Sequence, residues 1–180
     1  MPNLIGFAGR SGAGKDACAL ILKARGWAKV SFADKLKDVV ADVYDLPRHL
    51  LGDFSFKETP HPNLGNMTPR RVLQLIGTEA FRALVHDDTW IWAAKRTVQR
   101  HLAQFPGVYM ADLRFPNEVK AVKEWGGRVF YVERSAQECV SVERSHSSEQ
   151  HLAWLKDNAD RVIVNDGSLE QLQAIVSEAL

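Results

Sequence analysis

Residues 9 to 16, G-R-S-G-A-G-K-D, set three glycines, a lysine and an aspartate directly behind a short apolar run, Leu4 to Ala8. Such glycines let successive backbone N–H groups curl around phosphate oxygens, and a helix starting here adds the partial positive charge of its N-terminus. Lys15 would contribute a mobile full charge. The spacing is that of a P-loop, except that the usual final Ser/Thr is replaced by Asp16, so the hydroxyl expected on a nucleotide's magnesium is missing. Asp112 closes a second apolar run, Val108 to Ala111, as a Walker B acid does, although a helix cap or a salt bridge would use it equally well. Arg114 is a further phosphate candidate. In the charged segment 134 to 149, Arg134 and Arg144 suit a mobile lid whose cationic forks neutralise transferring phosphate oxygens, and a solvent-facing helix explains the same charges. His146 reads as a hydrogen-bonding or surface histidine, because phosphoryl transfer rests on positioning and electrostatics.

These groups need a scaffold, and the hydrophobic pattern supplies one. Asp16 to Arg25 reads as a helix ended by Gly26, Trp27 to Phe32 as a strand, and Ala33 to Tyr44 as a second helix. The stretch from Gly52 to Asn66 is expected to be a flexible substrate-side loop or a plain surface connection. Thr68 is placed to cap a helix with Pro69 in its first turn, Gly77 gives room for a close approach or a break, and a second short helix would carry Glu79 and Arg82. Gln74 offers an amide to a ligand, while a solvated face accounts for the same polar residues. Trp90 and Trp92 are expected in the core, with helix continuing to about His101. Beyond Asp112 come a helix from Pro116 to Trp125, a strand from Arg128 to Glu133, a last strand from Asp160 to Val164, and a terminal helix capped by Ser168 with Gln171.

At 180 residues, with 46% hydrophobic and 25% charged residues, the chain suits one domain, or one domain with a small insertion. A formal charge of +1 announces no nucleic-acid surface, and no apolar run reaches membrane-spanning length. Cys18 and Cys139 lie far apart and outside any metal spacing, so reduced packing residues in a reducing cytosol are expected.

The distinctive combination is G-R-S-G-A-G-K-D at 9 to 16, S-F-A-D-K-L-K at 31 to 37, T-P-R-R-V-L-Q-L-I-G-T-E at 68 to 79, D-L-R-F-P-N-E at 112 to 118, H-S-S-E at 146 to 149 and V-N-D-G-S-L at 164 to 169. Together they resemble the phage deoxynucleoside monophosphate kinase family, within the P-loop nucleoside monophosphate kinase fold, over nearly the whole chain. The resemblance implies one domain, 1–180: a three-layer α/β sandwich on a parallel five-stranded sheet, with a helical substrate-binding insertion at 45–100 and a lid at 134–149. It implies transfer of the γ-phosphoryl group of ATP to a deoxynucleoside monophosphate, giving the diphosphate and ADP, with Mg2+ present.

By the same resemblance Gly9, Arg10, Ser11, Gly12, Ala13, Gly14 and Lys15 hold the ATP phosphates, and Asp16 and Asp112 shape the magnesium environment. Lys37, Arg70, Gln74 and Arg82 fall on the substrate side. Lys15, Arg114, Arg134 and Arg144 balance charge during transfer. Family members often carry threonine where this chain has Ala17, so contacts of that hydroxyl do not carry over, and Asp16 would act on magnesium through water. Loop and fold alone would also suit a dephospho-coenzyme A kinase or another small-metabolite kinase. A nucleotide-dependent regulatory or packaging protein is the non-enzymatic alternative. The resemblance allows a homodimer, implies neither a nucleic-acid nor a membrane partner, and places the protein in the cytoplasm, the host's if phage-encoded.

Overall fold

Strand β1 (Leu4–Ala8) is buried at every position, as an unbroken apolar run demands of a strand covered on both faces. The computed structural model describes residues 3–134 and 151–180. Within them β1 is the middle of a five-stranded sheet in the order β2 (Ala28–Lys29), β3 (Val108–Leu113), β1, β4 (Arg128–Glu133), β5 (Arg161–Val164). Every pairing is parallel, as expected. Register puts Ala8 opposite both Leu113 and Tyr131, so the carboxyl ends of the three central strands finish side by side. That edge is where a doubly wound sheet holds its ligands.

Side-chain alternation along β1 assigns the layers. Ile5 and Phe7 join one core cluster with Cys18 and Leu22 of α1 (Lys15–Ala24) and Leu172 and Val176 of the terminal helix α7 (Leu169–Ala179), where Phe7 meets Phe130 edge-on at 6.0 Å. On the other face Gly6 leaves room for Leu113 and for Val122 of α6 (Pro116–Glu124). Burial pushes the free Cys18 thiol up to about 11, in keeping with a reduced packing residue. Cys139 lies outside the described residues.

The chain forms two compact units, one from Met1–Ser31 with Thr97–Leu180 and one from Phe32–Arg96. The first holds the sheet. The second is helical: α2 (Asp34–Tyr44), a 3-10 turn at Arg48–Gly52, α3 (Phe54–Glu58), a 3-10 turn at Pro62–Leu64, α4 (Pro69–Gln74), a π-helical segment Leu75–Val85, and the start of α5 (Thr89–Gln104).

Four expectations are corrected here. The strand drawn over Trp27 to Phe32 shrinks to Ala28–Lys29, because at this sheet edge one side alone pairs, with Ala28 and Val30 donating to Gly107 and Tyr109. The loop expected from Gly52 to Asn66 carries short helices too brief to show periodicity. Asp53 caps one by accepting from the Phe56 N–H at 2.8 Å, and Pro62 opens another. Of the two roles open to Gly77 the structure shows the close approach, its missing side chain admitting Leu36 and its carbonyl accepting from Trp90 Nε1 at 2.8 Å, while the break and the separate short helix give way to a continuous helical run into Leu75–Val85. Trp92 is 57% exposed whereas Trp90 is 5% exposed, since residues two apart on a helix face different ways. Among the described residues no helix is long and apolar enough to cross a membrane.

Candidate functional site

The loop between β1 and α1 begins at Gly9, where φ is 137°, and reaches Gly14, where φ is 100°. Gly14 stands at the N-cap with no side chain to cap it, so the first-turn N–H groups of α1 are presented at the loop. Lys15 curls back into this ring: its Nζ donates to the carbonyls of Gly9 and Arg10, both at 2.7 Å. Burial first, and then the nearby Arg114 charge, pull its ammonium down to about 8, against the pull of Asp16 and Asp112. It therefore keeps its charge at neutral pH.

Parallel pairing carries the carboxylate to the same place. Asp112, inside β3 and one residue before its end, accepts through Oδ2 from the hydroxyl of Ser31, which is buried just past β2. Arg114 follows on the exposed turn. Its backbone N–H, and that of Phe115, donate to the buried Glu118 carboxylate at 2.7 and 3.2 Å, which fixes the turn from strand to α6. Arg134 leaves β4 on the other side of the loop and donates from Nε to the Asn165 carbonyl at 3.0 Å. Asp112 and Arg114 thus both lie close enough to Lys15 to act on it electrostatically, all within the sheet-bearing unit. Asp16 points outward on the first turn, 86% exposed, in an ion pair with Lys29 at 3.5 Å.

The residues fit magnesium of one particular kind. Among the described residues no group of three or more His, Cys, Asp or Glu is gathered to cage a metal. Magnesium keeps several waters and takes one or two carboxylates together with phosphate oxygens, so a single aspartate at the strand end suits an ion that travels with a nucleotide.

In the helical unit the substrate-side candidates fall on two helices and the π-helical segment. Thr68 caps α4 by accepting from the Arg71 N–H at 3.2 Å, and Arg70 and Gln74, four residues apart, share a face of that helix. Arg70 pairs with Glu58 and lies over the Phe54 ring at 5.7 Å. Arg82 is buried and donates to the Asp87 carbonyl at 3.1 Å, and Lys37 is half-buried on α2. The candidates Arg144 and His146 lie outside the described residues.

Sequence reasoning missed three contributors. Glu118 was legible as the acidic third residue behind a proline-opened helix. Ser31 and Asn165 stood within the family-like stretches 31 to 37 and 164 to 169, with no local sign of their roles, because their partners are distant in sequence.

With this geometry the sequence matches the deoxynucleotide monophosphate kinase family over residues 53–176. A protein of Acanthamoeba polyphaga mimivirus that carries the family's name is 31% identical over 180 residues, 93% of this chain and 91% of the relative. The chain belongs to the deoxynucleotide monophosphate kinase family. A deoxynucleoside-5'-monophosphate kinase of Escherichia phage T5 is 37% identical over 59 residues, 32% of this chain and 22% of its own. In three dimensions the chain is similar to TT1252 from Thermus thermophilus (TM-score 0.54, 21% identity, 99% of this chain and 98% of the other). It is also similar to a dephospho-CoA kinase from Campylobacter jejuni (TM-score 0.55, 13% identity, 99% and 96%). At those identities the likeness establishes the fold alone. Fold and family together make this a P-loop kinase-type enzyme for a small nucleotide or metabolite.

Proposed function

We propose that the enzyme transfers the γ-phosphoryl group of ATP to the phosphate of a deoxynucleoside monophosphate, forming the diphosphate and ADP. The observation that carries this reading is the charge cluster of Lys15, Asp112 and Arg114 at the loop after β1, in a chain of this family. The acceptor phosphate is already a nucleophile. The protein has to align it, neutralise repulsion between two polyanions and exclude water, and no covalent intermediate on a serine or histidine is required.

Lys15 and the N–H groups of Gly9 to Gly14 hold the ATP phosphates, while Arg114, Arg134 and Arg144 offset charge as the phosphoryl group moves. Magnesium, when bound, supplies electrostatic stabilisation of the phosphate oxygens; Asp112 would hold it at the end of β3, and Asp16 through water. Lys37, Arg70, Gln74 and Arg82 serve the acceptor. Glu58 steadies Arg70 through Nε, which leaves the terminal nitrogens of a five-donor group for a phosphate.

A panel of ATP and magnesium with separate acceptors tests the reaction. Transfer to one or more deoxynucleoside monophosphates is expected. Transfer to coenzyme precursors alone would replace the substrate class, and nucleotide binding without any transfer would favour a regulatory role.

Asp112→Asn should raise the magnesium concentration for half-maximal turnover by about tenfold or more, because the strand-end carboxylate loses its charge while keeping its shape. An unchanged magnesium titration would remove Asp112 from the ion's surroundings. Gln74 can both donate to and accept from a base edge, whereas arginines recognise phosphate without naming the base. Gln74→Leu is therefore expected to change the kcat/KM ratios among dGMP, dTMP and dCMP more than it changes the KM for ATP. Equal proportional losses for all three acceptors in competition kinetics would leave Gln74 a general packing role.

A further inference from the structure

We propose that Asn165 is a positioning residue that locks the Ala13–Gly14 peptide of the phosphate-binding loop, so that the Gly14 N–H faces a bound nucleotide phosphate. The proposal rests on the reading of this loop as the ATP phosphate site. Asn165 directly follows β5, is 4% exposed, and donates from Nδ2 to the Ala13 carbonyl at 2.8 Å. The carbonyl can only accept, which settles that the amide turns its NH2 group toward the loop.

A trans peptide is planar, and its C=O and N–H point in opposite directions. The Ala13 carbonyl and the Gly14 N–H belong to one such unit. Tethering the oxygen to Asn165 therefore aims the N–H the other way. Without the tether the unit can flip, because Gly14 has no side chain to oppose a change of φ from its present 100°. A flipped peptide would turn a carbonyl oxygen toward the phosphate, replacing an attraction with a repulsion.

The tether is itself held. The Asn165 backbone N–H donates to the Glu133 carbonyl at 2.8 Å, and its own carbonyl accepts from Arg134 Nε at 3.0 Å. A Cβ at Gly14 would overlap Asn165 Nδ2, so the approach exists because that position is glycine. One buried side chain and its main chain thus join the phosphate loop, the end of β4 and the first arginine of segment 134 to 149.

Binding of ADP and of adenosine to the full chain separates positioning from general support, since adenosine lacks phosphates. Asn165→Leu should weaken ADP about tenfold or more, the scale of one misdirected hydrogen-bond donor to a charged group, while adenosine binds within about twofold of wild type. Adenosine binding also counts the folded sites. Should Asn165→Leu fail to fold, Asn165→Ala carries the same expectation, because it loses the donor without adding bulk or charge. Unchanged ADP affinity, or equal losses for both ligands, would overturn the proposal. A wild-type chain that binds no ADP would instead overturn the reading of the loop.

Discussion

Lys15→Met is expected to lower phosphoryl transfer by about 10²-fold or more in a protein that still folds, because on the proposed reading it removes a positive charge from the phosphate site and keeps an unbranched chain of similar length. That ammonium donates to the Gly9 and Arg10 carbonyls at 2.7 Å each, and a phosphate competes for it with two neutral acceptors. A polyanion does so readily. The proton on Lys15 adds a second signature. With the ammonium at about 8 in the fold and near 10.5 in the unfolded chain, both states are protonated below pH 8 and the fold carries the cost of a buried charge. Between 8 and 10.5 the fold has released the proton and the unfolded chain has not, so this lysine makes stability rise with pH across that window. ATP favours the charged form, so wild-type affinity should fall as pH rises through about 8. Lys15→Met should show neither trend. Single-turnover rates, calorimetric titrations with ATP at pH 7 and pH 9, and unfolding curves across the same pH range would measure the three effects, and transfer at the wild-type rate in the folded variant would rule out the role.

The parts of this molecule that could be read from the sequence are those whose cause is local. The loop from Gly9 to Lys15 is built from adjacent residues, and the capping pair at the last helix needs only Ser168 and Gln171, whose N–H and side-chain oxygens exchange bonds at 2.8 and 3.3 Å. The strand Arg128–Glu133 falls within the expected bounds for the same reason: an apolar run bounded by a Gly-Gly turn. What escaped was set by residues far apart in the chain. Ser31 reaches Asp112 because β2 and β3 are neighbours in the sheet, and Asn165 reaches Ala13 across the ends of three strands. The π-helical segment was unreadable for another reason. Its apolar spacing over Leu75–Val85 resembles that of an α-helix, and the glycine that offered a close approach or a break is occupied by Leu36 on one side and bonded to Trp90 on the other. Sequence named Asp112 and Lys15 but could not say that they would share an electrostatic neighbourhood. Parallel register does that, by ending β1 and β3 together.

The same register makes Gly9→Ala a strongly damaging change in the site. Gly9 has a φ of 137°, outside the range open to a residue with a Cβ, and a Cβ there would overlap the carbonyl oxygen of Val132. That oxygen belongs to the backbone of β4, the strand paired to β1 along Ile5 to Ala8, so it cannot swing aside as a side chain would. Backbone strain of about 1–3 kcal/mol and overpacking of about 1–3 kcal/mol therefore add, giving a loss of about 2–6 kcal/mol. In a chain of this size each kcal/mol shifts the melting temperature by about 2–4 °C, so a fall of about 12 °C is expected at the middle of that range. Gly126→Ala provides the comparison, since Gly126 also has a positive φ, 80°, but a Cβ there would meet nothing within 4 Å. It should cost about 1 kcal/mol, the strain alone. The function of the two sites separates as well. Any Gly9→Ala protein that folds has to push the loop away from β4, which turns its N–H groups off the phosphates, so ADP should raise its melting temperature little if at all, while Gly126→Ala keeps the wild-type response. Melting curves of the three proteins with and without ADP decide the matter: equal small losses at both glycines, with ADP stabilising both variants as it does wild type, would mean that Gly9 is not wedged against β4 and that the loop's shape does not depend on it.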